Sequence, residues 1–508
     1  MPMWTRLSVG AIRGKMALCQ GSRLSCSPEA KGRRTAMDRS SKCGDGDELG
    51  RAEACGRHEQ ELDRADRPAK LAPGLHRFYR GKLRTGLKCV VRGLDDYGIW
   101  YTPGVAAPCK EIAADPEKAL VYTNKANAVA VVSDGSRVLG LGNIGPKAAL
   151  PVMEGKALLF KHLGGVDAYP IVLDTQDPDE IIQAVGWIAP GFGGINLEDL
   201  STPKCFRILE GLRETLDIPV WHDDQQGTAA VTLAGVLNAV RVVGKQLSEV
   251  SLCILGTGAA NLAFLSILLK HPANIDPGNV ILVDSRGIVH PHRTDAGEGF
   301  QVNPTKWRYA EFTNKGGRRG GLREALVDAD ILIAAACPGP AAFDPSWIAA
   351  MAPDAIAFLL ANPVPEIWPW EAKQAGARVV GTGRSDFPNQ INNSLGFPGI
   401  FRGALDVQAS TITDEMTIAA AEAIAAAATC GGRCLSDSKL VPTMMDSEVF
   451  VDVAVAVGGV AIEQGLAKCP LSETERRSIA RTRIASAQEE TEILMREGHI
   501  PEPPTDTA

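Results

Sequence analysis

An α/β fold built on mostly parallel sheets is predicted by three features of this 508-residue chain. Short apolar runs alternate with helical patterns from about residue 79 onward. Those runs end in polar or glycine-rich punctuation, as buried strands of parallel sheets do. One such turn, Gly256-Thr257-Gly258-Ala259-Ala260-Asn261, follows a strand and opens a helix, and the next strand closes on an acid, Asp284. The expected architecture is a Rossmann-like parallel sheet domain, a second α/β domain that binds substrate and metal, and C-terminal helices.

In the first half, ANAVAVVSDG, GVDAYPIVLD and GFGGINLEDL read as buried strands, and IPVWHDD holds a fourth strand-like run. PKCFRILEGLRETL reads as a helix opened by Ser201-Thr202-Pro203, a capping residue and a first-turn proline. Residues 228–243 form a long apolar helix. Strands follow in SLCILGTGAA, NVILVDSRG, ADILIAAACPG, APDAIAFLLANP and ARVVGTGRSD, with the helix NLAFLSILLK after the first of them. After residue 394 the pattern turns helical, and the final helix within 472–498 is heavily charged, as on a surface or a subunit contact. The expected limits are a disordered or presequence-like extension over 1–78, a substrate- and metal-binding domain over 79–225 and a dinucleotide domain over 226–393. A helical segment over 394–508 packs back on the first domain.

A formal net charge of -7 argues against nucleic acid and anionic membranes as main partners. No apolar run reaches the ~18–20 residues that a spanning helix needs. The 12 cysteines are scattered, and Cys205, Cys253 and Cys337 sit in apolar runs as small hydrophobes, so a reducing compartment is expected. Cys430 and Cys434 read as a loop thiol pair rather than as metal ligands. Residues 1–37 carry seven basic side chains against Glu29 but no amphipathic period. A plain tail, and hence the cytoplasm, is favoured over an organelle presequence and a mitochondrial or other matrix.

The chemistry begins with two acid pairs, Glu198-Asp199 and Asp223-Asp224, each ending a strand-like run. Adjacent carboxylates repel unless a positive group lies between them, and Mg²⁺ or Mn²⁺ is the economical one. In the glycine-rich turn, Gly256 permits the tight bend and Gly258 the close approach of a pyrophosphate to the helix N-terminus over Ala259 and Ala260. Asp284 is placed to accept from the adenosine ribose hydroxyls, and Arg286 to pair with a 2′-phosphate, so NAD and NADP both stay open. A metal site beside a dinucleotide turn points to metal-assisted redox chemistry on a small acid.

Seven segments come in order: YTPGVAAPCKEIA, VVSDGSRVLGLGNIGP, ALPVMEGKALLFK, INLEDL, WHDDQQGTAA, LLANPVPEI and FPNQINNSLGFPGIFRGALD. On these residues the chain resembles the malic enzymes of the shorter, bacterial-type branch from about 81 to 470. The resemblance implies oxidation of (S)-malate to pyruvate and CO₂ with NAD or NADP, a divalent metal, and a homodimer or larger homo-oligomer. It implies Tyr101 as general acid, Lys156 as general base and Asp223 beside that lysine. It implies Glu198, Asp199 and Asp224 as metal ligands, with Asn362, Asn392 and Asn393 at substrate or the nicotinamide ribose. Arg137 matches an arginine that long-branch members set on a malate carboxylate and that short-branch members commonly lack. The chemistry wants a lysine of depressed pKa, to take the C2 hydroxyl proton, and a proton donor at C3 once CO₂ has left. Two departures stand out: Asn261 at the third glycine position of the turn, and Gln226 where the short branch commonly has histidine. The alternatives are a malolactic conversion to lactate, an amino-acid dehydrogenase with a lysine base, and a non-catalytic NAD-binding regulator.

Overall fold

The computed structural model describes residues 66–504 except 337, 340–342 and 430–433. The readings made of residues 1–65, Cys337 and Cys430 therefore lie outside the described residues. Two parallel sheets carry the cleft. The first has β1 (Ala128–Ser133), β2 (Asp167–Val172), β3 (Gly194–Leu197) and β4 (Val220–His222), in the order β2-β1-β3-β4. The second has β5 (Leu252–Leu255), β6 (Val280–Asp284), β7 (Gly287–Ile288), β8 (Ile331–Ala334), β9 (Ile356–Leu359) and β10 (Val379–Thr382), in the order β10-β9-β8-β5-β6-β7. Only β7 runs antiparallel to its neighbour. Every other strand lies in a run expected from the sequence; β7, two residues long, carries no pattern to read.

The reason these runs make strands is burial on both faces. All six residues of β1 are buried, as are all four of β3, β8 and β9. Such strands lose the polar alternation of a half-exposed sheet and read as continuous apolar runs. The expected helices over 228–243 and after 394 form at Thr228–Val242, Phe397–Asp406, Asp414–Ala427, Glu448–Glu463 and Glu473–Arg496. Ser472 caps the last of these, accepting from the Glu475 N–H, while the Glu475 carboxylate reaches back to the Ser472 N–H. This charged helix buries only Ala480, Ile484 and Ala487, packing on the helices Glu448–Glu463 and Pro146–Gly164.

Two local expectations need correction. The helix Lys204–Thr215 starts after Pro203, which is its N-cap residue and not its first turn, and no side chain caps it. Residues 66–79, expected to lack order, form a helix. Its polar sequence hid it because tethers at its C-terminal end, not an apolar stripe, fix it. Tyr79 donates to the Pro501 carbonyl at 2.9 Å, and Lys82, just beyond, sits 2.6 Å from the His76 ring.

Candidate active site

The helix Pro146–Gly164 supplies the central group. Its buried stripe runs Ala149, Met153, Lys156, Phe160 and Leu163, spacings of one helix face. Lys156 thus occupies a core position, where an unpaired ammonium would be costly. It is paired: Nζ lies 2.5 Å from Asp223 Oδ2 and 2.9 Å from Glu198 Oε1. The face of Phe397 lies 4.3 Å from Nζ, and Phe397 is itself wedged against Phe160 at 4.6 Å between centroids. Glu198 and Asp199 follow β3, and Asp223 and Asp224 follow β4, which is the neighbour of β3. Adjacent strand ends are therefore what gathers the two acid pairs around one lysine.

Charge is unbalanced here. Burial pushes Glu198 well above the ordinary carboxylate range, and Lys156 only partly offsets it. Burial and the nearby Asp224 raise Asp199 to about 8. Asp199 also sits in the left-handed region, with φ 54°, a costly backbone conformation for a residue other than glycine. Burial alone would lower Lys156, but Asp223, Glu198 and Asp224 more than reverse it, and its pKa is raised. The depressed lysine expected from the sequence is therefore not what the protein side chains give by themselves.

A hard divalent cation suits this donor set. Asp199 Oδ2 is buried and accepts no hydrogen bond, and three further carboxylates surround it against one ammonium. As the side chains stand, however, no three His, Cys, Asp or Glu groups among the described residues converge as a ready coordination shell. The reason is visible: Asp224 Oδ2 takes the Asp199 N–H at 2.7 Å, and Glu198 Oε1 takes Lys156. Gathering Glu198, Asp199 and Asp224 on one ion requires Asp224 to turn off that amide.

These groups wall a cavity of about 480 Å³ that the second sheet closes from the other side. Arg137, Lys156, Glu198, Asp199 and Asp224 face Gly258, Ala259, Ala260, Asn362, Asn392 and Asn393 across it. Gly256, just behind, has φ +95° and lies so close to the Ala335 carbonyl that a Cβ would sit 2.6 Å from it, so the turn admits only glycine. Asn261 turns its amide back, donating to the Leu255 and Gly256 carbonyls at 2.9 Å each. It pins the strand end and leaves the turn open. Gln226 is likewise internal, accepting from the His222 N–H at 3.1 Å.

Two expected residues stand apart. Asp284 is already saturated: Arg293 grips both oxygens at 2.8 Å, Lys306 adds a bond at 3.1 Å and the Arg286 N–H another at 2.8 Å. Arg286 extends its side chain to Asp295. Neither Arg293 nor Lys306 carried a sequence signal, because both reach Asp284 from the following loop and helix. Tyr101 does not line the cavity, and its residue is 73% exposed.

The sequence also passed over Glu366. This fully buried carboxylate, next to last in LLANPVPEI, accepts from the Ala336 N–H at 3.0 Å and the Ala361 N–H at 3.2 Å. It thereby ties together the loops after β8 and β9, both on the cavity wall. Burial pushes it to about 7, although those N–H groups pull the other way. An unfolded glutamate titrates near ~4.3, so Glu366 contributes stability that is intact below that value and lost as pH rises through about 7. Glu366→Gln is expected to flatten the fall in melting temperature across this window, by an amount worth up to about 4 kcal/mol. An unaltered pH–melting curve would refute the assignment.

A two-sheet α/β cleft with a dinucleotide turn on one wall and an acid-ringed lysine on the other defines a dinucleotide-dependent oxidoreductase. The family model described as "Malic enzyme, N-terminal domain" matches residues 82–213, and "Malic enzyme, NAD binding domain" matches 225–462. The chain is 47% identical to the bifunctional malic/malolactic enzyme of Bacillus subtilis, over 79% of this chain and 95% of that one. It is 49% identical to the NAD-dependent malic enzyme of Geobacillus stearothermophilus, over 76% and 78% of the two chains. The crystal structure of Entamoeba histolytica malic enzyme superposes with a TM-score of 0.85 at 42% identity, covering 88% of this chain and 93% of that one. The chain belongs to the malic enzyme family.

Proposed function

We propose that this cleft oxidises (S)-malate to pyruvate and CO₂ with reduction of NAD or NADP, in the presence of Mg²⁺ or Mn²⁺. The observation that carries the reading is Lys156, buried yet facing the cavity and held by two carboxylates opposite the dinucleotide turn. When bound at Glu198, Asp199 and Asp224, the metal ion would offset the field of those acids on Lys156 and draw the oxygens of a hydroxy acid. A dinucleotide held at Gly258, Ala259 and Ala260 would supply the hydride acceptor for C2.

The chain's own groups do the rest. Lys156 Nζ takes the C2 hydroxyl proton, with Asp223 fixing the direction of its free pair. Arg137, exposed at the cavity wall beside Leu139, pairs with a malate carboxylate. Asn362, Asn392 and Asn393 donate to substrate and to the nicotinamide ribose, while the N–H groups at Gly258, Ala259 and Ala260 receive the pyrophosphate. Tyr101 returns a proton to C3. In this reading residues 79–225 hold acid and metal, 226–393 hold the dinucleotide, and 394–508 brace the first part.

Because Tyr101 lies outside the cavity of its own chain, this reading takes it from a second copy. In the same segment Leu87, Val90, Leu94, Tyr97, Ile99 and Trp100 are all exposed, and apolar side chains exposed together mark an interaction surface. A two-fold dimer that covers this face would deliver each Tyr101 to the partner's cavity. No helix among the described residues is long and apolar enough to cross a membrane. Its cysteines, among them the buried Cys205 and Cys253, are free wherever described, and the cytoplasm is the proposed compartment.

The deciding assay follows reduced nicotinamide by its absorbance with malate, Mn²⁺ and each of NAD and NADP, and identifies the product. Pyruvate with loss of activity in EDTA supports the reading. Lactate without net cofactor reduction would favour the malolactic conversion, and silence with every C4 hydroxy acid would sink the enzyme.

A further inference from the structure

Asp223 has two oxygens, and only one is spent on Lys156. The other, Oδ1, accepts from the indole N–H of Trp221 at 2.9 Å. Trp221 is fully buried in β4, two residues upstream, so donor and carboxylate belong to one continuous strand end. Gly227 also packs against Oδ1, where a Cβ would come within 1.9 Å of that oxygen. The carboxylate is thus seated by an N–H that draws it and a glycine that makes room for it. Its second oxygen then points at Lys156 Nζ at 2.5 Å, while Phe397 blocks another side of the ammonium.

We propose that Trp221 is a positioning residue: through Asp223 it fixes where Lys156 Nζ stands when a substrate hydroxyl arrives. A phenyl ring could fill much of the same space but has no donor, so packing alone does not account for an indole whose single polar atom is aimed at this oxygen. Without the N–H, Oδ1 is a buried carboxylate oxygen short of its donor, and Asp223 must rotate to find another. The rotation carries Oδ2 away from Lys156.

This inference rests on the malate reading above, and its test separates the two. In Trp221→Phe, kcat for malate oxidation should fall about tenfold to a hundredfold, the range expected for losing one hydrogen bond to a charged group. KM for malate should stay within about twofold, since Trp221 does not touch the cavity. In an Asp223→Ala background the same Trp221→Phe change should cost less than about twofold, because its target is gone. Gly227→Ala, at a helical φ of -67°, crowds Oδ1 directly and should reproduce the kcat loss with Trp221 intact. A structural role for the ring would instead give the same loss with and without Asp223, and that result overturns the proposal. So does an unchanged kcat in both Trp221→Phe and Gly227→Ala. Failure of the wild-type protein to oxidise malate would fell the malate reading, and this inference with it.

Discussion

Lys156→Ala is expected to lower kcat by about 10²–10⁴ while malate still binds, the span for removing a general base from a site that is otherwise complete. The argument is positional. Lys156 occupies the apolar stripe of its helix, so nothing in packing calls for an ammonium there. A second consequence distinguishes this lysine from a surface one. Its loss leaves Asp223 and Glu198 buried without their cation, and breaking a buried pair by removing one partner costs about 3–5 kcal/mol. The variant should therefore melt well below wild type in EDTA and regain part of the difference in Mn²⁺. Steady-state kinetics and melting curves in both buffers check this. Wild-type kcat in the variant would remove Lys156 from the mechanism.

The second large effect concerns Tyr101. Tyr101→Phe should turn over at least a hundredfold more slowly with little change in malate affinity. Mixed with Lys156→Ala and allowed to exchange subunits, two nearly inactive proteins should recover about a quarter of wild-type activity. Random exchange makes half the dimers mixed, and each mixed dimer holds one cavity with both groups intact. A mixture as inactive as its parents, with exchange verified by mass, would return Tyr101 to its own chain's cavity or to no catalytic role.

What could be read from the chain, and what could not, divides along a physical line. Strands buried on both faces announce themselves as apolar runs, and β1, β3, β8 and β9 are of that kind. The acid pairs were visible because side chains at strand ends share a location with their backbone. Residues that act across the fold were not. Arg293 and Lys306 reach Asp284 from later segments, and no local pattern marks them. Glu366 lies in the loop sequence after a strand, where nothing marks it as buried, and its burial depends on β8 and β9 lying side by side. The exposure of Tyr101 was illegible for a different reason: YTPG reads the same whether its cavity is in the same chain or in a neighbour.

Beside Arg137 and Leu139, Gly140 presses on the loop of the opposite sheet, where a Cβ would lie 2.5 Å from both the Asn362 carbonyl and the Pro338 ring. The two walls of the cleft thus meet there through main chain and rigid rings rather than through long, yielding side chains. Trimming side chains that line the cavity would therefore enlarge it without moving these two walls apart. Engineering toward bulkier hydroxy acids would have to begin by resetting the distance between the two loops.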